Sequence, residues 1–81
     1  MYFISTMIDS PRGDSQMVII KATTLGGAKR KLRLEAIEKL WFVIPDDVSP
    51  IDIEDEALED IRADEDLWGR LQRDNIITWS S

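Results

Sequence analysis

The first 23 residues contain two short segments in which successive side chains alternate between two sides of an extended chain. Residues 2–8 alternate with a period of two and are rich in β-branched and aromatic residues, which predicts a strand. Residues 16–23 predict a second strand, and the residues between the two segments are dense in Asp, Ser, Pro and Gly, which favour a hairpin loop. Because a short connection joins only antiparallel strands, we expect the chain to begin with an antiparallel β-hairpin.

A segment with helical periodicity follows this hairpin. Thr23 and Thr24 each offer a hydroxyl group that can cap the helix N-terminus. Gly26 and Gly27 weaken the first turn by about 1 kcal/mol each relative to alanine, and we expect them to allow close packing of the helix against a strand or a partner. The apolar stripe expected to lie on the sheet comprises Leu25, Ala28, Leu32, Ala36 and Leu40.

The middle of the chain is more ambiguous between strand and helix. Residues 41–44 predict a short buried strand that ends at Pro45, followed by a turn. Ser49-Pro50 has the pattern of a helix start, because serine caps helices and proline is favoured at the first helical position. An alternative begins this helix at Glu54 and leaves residues 51–53 extended.

Two further elements are predicted near the C-terminus. Asp64 is expected to cap a short helix, Asn75 to end it, and residues 76–79 to form a last strand. The order is therefore β-β-α-β-α-α-β, which predicts an α+β fold with a small, mostly antiparallel sheet and helices packed on it. Residues 1–81 are expected to form a single domain. The buried side of the last helix is predicted to comprise Leu67, Trp68 and Leu71.

Charge is distributed unevenly along the chain. Residues 1–41 carry seven basic and four acidic side chains, whereas residues 42–81 carry three basic and twelve acidic ones. Residues 46–66 alone hold eleven carboxylates and one basic residue, Arg62. The candidate basic contact residues lie on the first helix and are Lys29, Arg30, Lys31 and Arg33. The candidate acidic contact residues are Asp52, Glu54, Asp55, Glu56, Glu59 and Asp60.

The composition argues against catalysis. The chain has no cysteine and no histidine, which excludes thiolate nucleophiles, cysteine-ligated zinc and serine–histidine triads. An EF-hand loop starting at Asp52 would need glycine and glutamate where Ala57 and Ala63 stand. We therefore expect no enzyme activity, no cofactor and no metal site. The N-terminus resembles no signal peptide and no apolar run reaches the length of a membrane span, so we expect a cytoplasmic protein.

One stretch of the sequence resembles a known family. Two strands joined by a short polar loop lead into the helix entry Ala22-Thr23-Thr24-Leu25-Gly26-Gly27-Ala28-Lys29-Arg30. Over roughly its first forty residues the chain resembles small phage-encoded anti-CRISPR proteins that inhibit type I-F surveillance complexes. The resemblance implies a non-catalytic inhibitor whose surface lysines and carboxylates bind the complex and block target DNA. It also implies that Lys29 is a contact residue, with Arg30 beside it.

Three hypotheses follow from these observations. The first is an acidic inhibitor of phage or mobile-element type that binds a host nucleic-acid-handling machine, such as a CRISPR complex or a restriction enzyme, through its charged patches. The second is a nucleic-acid-binding regulator that uses the basic residues 29–33, although the net charge of −6 repels nucleic acid. The third is an antitoxin-like or structural module with an apolar interface formed by Leu34, Ile37 and Trp79. Trp79 is also the tryptophan expected to be partly exposed and to anchor a partner.

Overall fold

A computed structural model describes residues 1–9, 13–43 and 47–79 of the chain. It confirms the α+β fold with an antiparallel sheet and packed helices, and it adds one strand to the predicted order. The elements are β1 (Tyr2–Asp9), β2 (Asp14–Lys21), α1 (Leu25–Lys39), β3 (Trp41–Val43), β4 (Ser49–Ile51), α2 (Glu56–Ala63), α3 (Glu65–Asp74) and β5 (Ile76–Trp79).

The predicted N-terminal hairpin forms the centre of the sheet. β1 and β2 pair antiparallel over their whole length, from the pair Tyr2–Lys21 to the turn that contains Gly13. The sheet order is β3-β1-β2-β5, and β4 also pairs with β1. β3 and β4 occupy different stretches of β1, since β3 pairs with residues 7–9 and β4 with residues 2–4. Residues 10–12 of the predicted loop lie outside the described residues.

The sheet is covered by helices on both faces. On one face, Phe3, Val18 and Ile20 are buried against Ala28 and Leu32 of α1. Because consecutive residues of a strand point to opposite faces, Ile19, between Val18 and Ile20, packs on the other face of the sheet. There it forms a second core with α2 and α3, which comprises Ile19, Leu58, Ile61, Leu71 and Ile77.

The helix α1 follows the prediction at its start and along its centre. Thr24 is the N-cap, and its Oγ1 accepts a hydrogen bond of 3.0 Å from the backbone N–H of Gly27. Ala28 is among the buried residues, but the predicted burial of Leu25 and Leu40 is wrong. Leu25 is the first helical residue and is 41% exposed, and Leu40 follows the helix in a left-handed conformation that takes it out of the helical stripe. The buried stripe is therefore limited to Ala28, Leu32 and Ala36.

Gly26 does not serve close packing of α1 on the sheet. A Cβ atom added to Gly26 would meet nothing within 4 Å. At Gly27 an added Cβ would lie 3.2 Å from Thr24 Oγ1 and 3.9 Å from the Cβ of Ala22. The tight contact at Gly27 is therefore with the capping hydroxyl group, whereas Gly26 faces open space.

Two predictions for the middle of the chain are wrong. β3 is at an edge of the sheet, and Trp41 and Val43 are only half-buried while Phe42 is 62% exposed. Ser49-Pro50 belongs to strand β4, because pairing with Phe3 and its neighbours overrides the local helix signal. Proline is tolerated there because β4 is an edge strand. The other residues of the predicted segment, Ile44, Pro45 and Asp46, lie outside the described residues.

The C-terminal third agrees with the sequence pattern. α2 begins after Asp55, close to the alternative start at Glu54, but of residues 51–53 only Ile51 is in a strand, and Ile53 lies in the turn before α2. Asp64 caps α3, and Asn75 ends it in a left-handed conformation with φ of 64°. Among the predicted buried residues of α3, Leu71 is fully buried, and Leu67 and Trp68 pack partly buried against the same core.

Candidate functional site

The acidic residues predicted to bind a partner form one exposed surface on α2 and the turn before it. We call this surface the acidic face. All its members are exposed, as are the other carboxylates between residues 47 and 66. The single basic residue in that range, Arg62, donates a hydrogen bond of 3.3 Å to the backbone carbonyl of Ile53. The acidic face comprises Asp52, Glu54, Asp55, Glu56, Glu59 and Asp60.

Some of these carboxylates have a role within the fold. A carboxylate oxygen of Asp55 accepts a hydrogen bond of 2.9 Å from the backbone N–H of Ala57, which caps α2. Glu56 and Glu59 lie in the first turn of α2, where negative charge interacts favourably with the helix dipole. Helix capping and the helix dipole explain why the three helix-start positions are acidic. Neither effect explains why Asp52 and Glu54 are acidic.

An apolar groove lies directly beside the acidic face. It has a volume of about 490 Å³ and runs along the end of β4. Met1 and Ile53 are exposed there, and Asp52 and Asp55 form its charged border. A lining of apolar and acidic side chains suits a partner segment that carries both apolar and basic groups. The full lining is Met1, Tyr2, Pro50, Ile51, Asp52, Ile53 and Asp55.

The apolar part of this groove was not predicted from the sequence. Met1 and Ile53 were not among the candidate residues, because the sequence pattern predicted a helix that starts at Ser49-Pro50. Of the alternative with residues 51–53 extended, only Ile51 is in a strand, and Ile53 reaches the groove from the turn that follows. Pairing of Ile51 with Tyr2 then brings the N-terminus of the chain to the same place.

The basic residues of α1 are divided between two environments. Lys29 and Lys31 are half-buried, whereas Arg30 and Arg33 are exposed. Lys31 Nζ lies 3.6 Å from Glu35 Oε1, and Lys39 Nζ lies 3.3 Å from Glu35 Oε2 on the same helix. The positive charge that α1 presents to solvent is therefore concentrated on the two arginines. Lys39 also lies over the ring of Trp41, with Nζ 5.2 Å from the ring centroid.

The sheet separates the basic helix from the acidic face. α1 packs on the face that carries Phe3 and Val18, and α2 packs on the face that carries Ile19. The ion pairs of Lys31 and Lys39 are made within α1. The two oppositely charged surfaces thus face solvent on different sides of the molecule.

The outward surface of α1 is apolar as well as basic. Leu34 and Ile37, which the sequence suggested as part of an apolar interface, are 60% and 69% exposed. Arg30 and Arg33 lie one turn before them on the same side. This surface combines exposed leucine and isoleucine with exposed arginine.

Trp79 lies on β5, opposite Met17 of β2, and is half-buried against the core beneath α2 and α3. Its partial exposure agrees with the prediction, but Trp41 and Trp68 are half-buried to a similar degree. Phe42 is instead the most exposed aromatic side chain among the described residues. The exposure of Phe42 was not predicted, because the sequence of residues 41–44 indicated a buried strand.

The described part of the chain holds no group of three or more carboxylates placed to bind a metal ion together. Within residues 1–9, 13–43 and 47–79, no helix has the length and apolar character needed to cross a bilayer. No protein-family model, curated protein or solved structure matches this chain.

Proposed function

We propose that this chain is a small non-catalytic inhibitor of phage or mobile-element type that binds a host nucleic-acid-handling defence complex. CRISPR surveillance complexes and restriction enzymes are the classes of target that we favour. In this proposal the acidic face occupies a basic groove of the target that otherwise binds nucleic acid. The protein inhibits by occupying that groove and performs no chemical step.

The observation that carries the proposal is the position of the acidic face on the far side of the sheet from the basic helix. The acidic face carries six exposed carboxylates, and the single basic side chain between residues 47 and 66 is Arg62. Charge kept apart in this way remains available to an external partner. Phosphate contacts contribute much of the affinity of proteins for nucleic acid, so carboxylates at comparable density can engage the same lysines and arginines.

The groove beside the acidic face provides apolar surface that can add binding affinity to that of the charged groups. Exposed charge pairs contribute little affinity each and are weakened by salt, and they act mainly on the association rate. Met1 and Ile53 offer apolar surface that a partner can bury, and burial contributes roughly 25 cal/mol for each Å² removed from water. We therefore expect the interface to include both the acidic face and the groove.

The basic helix supports the nucleic-acid-binding hypothesis less well. Arg30 and Arg33 are exposed and one turn apart, which favours contact with phosphates. However, Lys31 is paired with Glu35, and the exposed leucine and isoleucine beside the arginines suit protein better than nucleic acid. A gel shift at low salt that is lost in the variant Arg30→Glu/Lys31→Glu would favour this second hypothesis.

The experiment that tests the proposal is capture of partners from a bacterial host lysate, followed by mass spectrometry. The test variant neutralises the acidic face by Glu54→Gln, Glu56→Gln, Glu59→Gln and Asp60→Asn. The matched control removes the same charge elsewhere, at four exposed positions, by Asp14→Asn, Asp47→Asn, Glu65→Gln and Asp74→Asn.

We expect the wild type and the control to retain a nucleic-acid-handling complex that the test variant loses. Recovery of no such complex contradicts the proposal, and so does equal retention by the test and control variants. Circular dichroism of each variant establishes that a loss of binding does not reflect unfolding.

A further inference from the structure

The outward surface of α1 has a charge pattern that is complementary to itself. Arg30, Leu34 and Glu38 are four residues apart in sequence and all three are exposed. Residues spaced by four lie on one side of a helix, one above the other, so these three form a continuous stripe. Leucine is at the centre, with a positive charge four residues before it and a negative charge four residues after it.

The charged ends of this stripe form no ion pair within the part of the chain that the structure describes. Lys31 and Lys39 each form an ion pair with Glu35 of the same helix. Among the described residues, Arg30 and Glu38 have no ion-pair partner. In the described part of the chain α1 is also the one helix on its side of the sheet, so this surface is accessible to another molecule.

We propose that this surface is the interface of a homodimer in which α1 packs antiparallel against α1 of a second copy, with Leu34 on the two-fold axis. A two-fold interface requires that residue i contacts j and that j contacts i. Antiparallel packing about Leu34 brings Arg30 opposite the partner's Glu38 and Glu38 opposite the partner's Arg30. It also buries Ile37, which is adjacent to the stripe and 69% exposed in the single chain.

The size of the surface sets the expected affinity. A helix of 15 residues is about 22 Å long. A single helix pair of this length buries less than the roughly 1,200 Å² of standard interfaces, so we expect a dissociation constant in the micromolar range. The dimer would leave both acidic faces accessible on its two outer sides, which is compatible with the proposed function but does not depend on it.

The test is sedimentation equilibrium of the full chain from about 1 μM to 1 mM. We expect a monomer–dimer equilibrium for the wild type and a monomer for Leu34→Glu, whose exposed position makes unfolding unexpected. Arg30→Glu and Glu38→Arg should each weaken dimerisation about tenfold, because each places like charges opposite each other at two symmetric positions. The double variant Arg30→Glu/Glu38→Arg should restore the wild-type constant to within about threefold.

The matched control is Glu54→Arg, which makes the same charge change on the acidic face and should leave dimerisation unchanged. The proposal is overturned if the wild type stays monomeric to 1 mM, if Leu34→Glu still dimerises, or if the double variant does not recover. A monomer that binds a different protein through Leu34 would assign the surface to another partner and also overturn it. Because Glu54 and Leu34 lie on different surfaces, failure of this proposal and failure of the proposed function give different results.

Discussion

Ser5 offers the most direct test of the core beneath α1. Its side chain is 3% exposed, and its hydroxyl group has no hydrogen-bond partner among the residues that the structure describes. It lies on β1 between Phe3 and Met7, which share its face of the sheet, and opposite Val18 of β2. The hydroxyl group is therefore surrounded by apolar side chains and is desolvated without compensation.

We expect Ser5→Ala to stabilise the protein. A buried polar group without a partner costs about 1–3 kcal/mol, and the change removes only one non-hydrogen atom, so the cavity that remains is small. The free energy of unfolding should rise by about 1–2 kcal/mol. For a domain of this size each 1 kcal/mol corresponds to roughly 4–8 °C in the melting temperature.

Urea unfolding followed by tryptophan fluorescence and a thermal melt measure this change. Ser15→Ala is the matched control, because Ser15 lies on β2 with its side chain exposed, and it should change the free energy of unfolding by less than about 0.5 kcal/mol. A Ser5→Ala variant that is less stable than the wild type, or no more stable than Ser15→Ala, would refute the assignment of an unsatisfied hydroxyl group.

Three further changes in stability are expected, each measured by urea unfolding at low micromolar protein concentration. Gly26→Ala should stabilise α1 by about 0.5–1 kcal/mol because its added Cβ meets open space, whereas Gly27→Ala should gain less because its Cβ crowds Thr24 Oγ1; equal gains would contradict this. Asp64→Ala should destabilise by about 1 kcal/mol through loss of the hydrogen bonds to two backbone N–H groups of α3, and no change would exclude a capping role. Leu40→Asn should stabilise the protein by a few tenths of a kcal/mol because asparagine tolerates the left-handed conformation, and a loss of stability would show that this leucine packs against the fold.

The elements that sequence analysis predicted correctly are those whose local and tertiary signals agree. The hairpin of β1 and β2 combines alternation, β-branched residues and a loop dense in turn formers. Thr24, Asp64 and Asn75 have side chains that stabilise helix ends by local hydrogen bonds or by a tolerated left-handed conformation, so their roles need no knowledge of the rest of the fold.

The elements that were predicted wrongly depend on distant partners. Ser49-Pro50 has a strong local signal for a helix start, but pairing with β1 makes it a strand. The exposure of Phe42 follows from the position of β3 at the edge of the sheet, which no local pattern reveals. Leu40 falls at a helical spacing from Ala36, and only the left-handed conformation after Lys39 removes it from the stripe.

The acidic residues of the candidate site were predictable from the sequence. The groove beside them and their separation from α1 were not. Composition identified the acidic residues, and their exposure follows from the cost of burying charge. The apolar groove beside them depends on Met1 and Ile53 meeting at β4, and the separation from α1 depends on which face of the sheet each helix covers. Both are properties of the tertiary structure.

The central claim is that the acidic face occupies a nucleic-acid-binding groove of another macromolecule. Competition measures this most directly: the purified captured complex is bound to fluorescently labelled target DNA and titrated with this protein, while the anisotropy of the DNA is recorded. We predict displacement of the DNA as one equivalent of the protein binds, and no displacement by the variant in which Glu54, Glu56, Glu59 and Asp60 are changed to their amides. Simultaneous binding of the DNA and the wild-type protein to the complex would contradict the account.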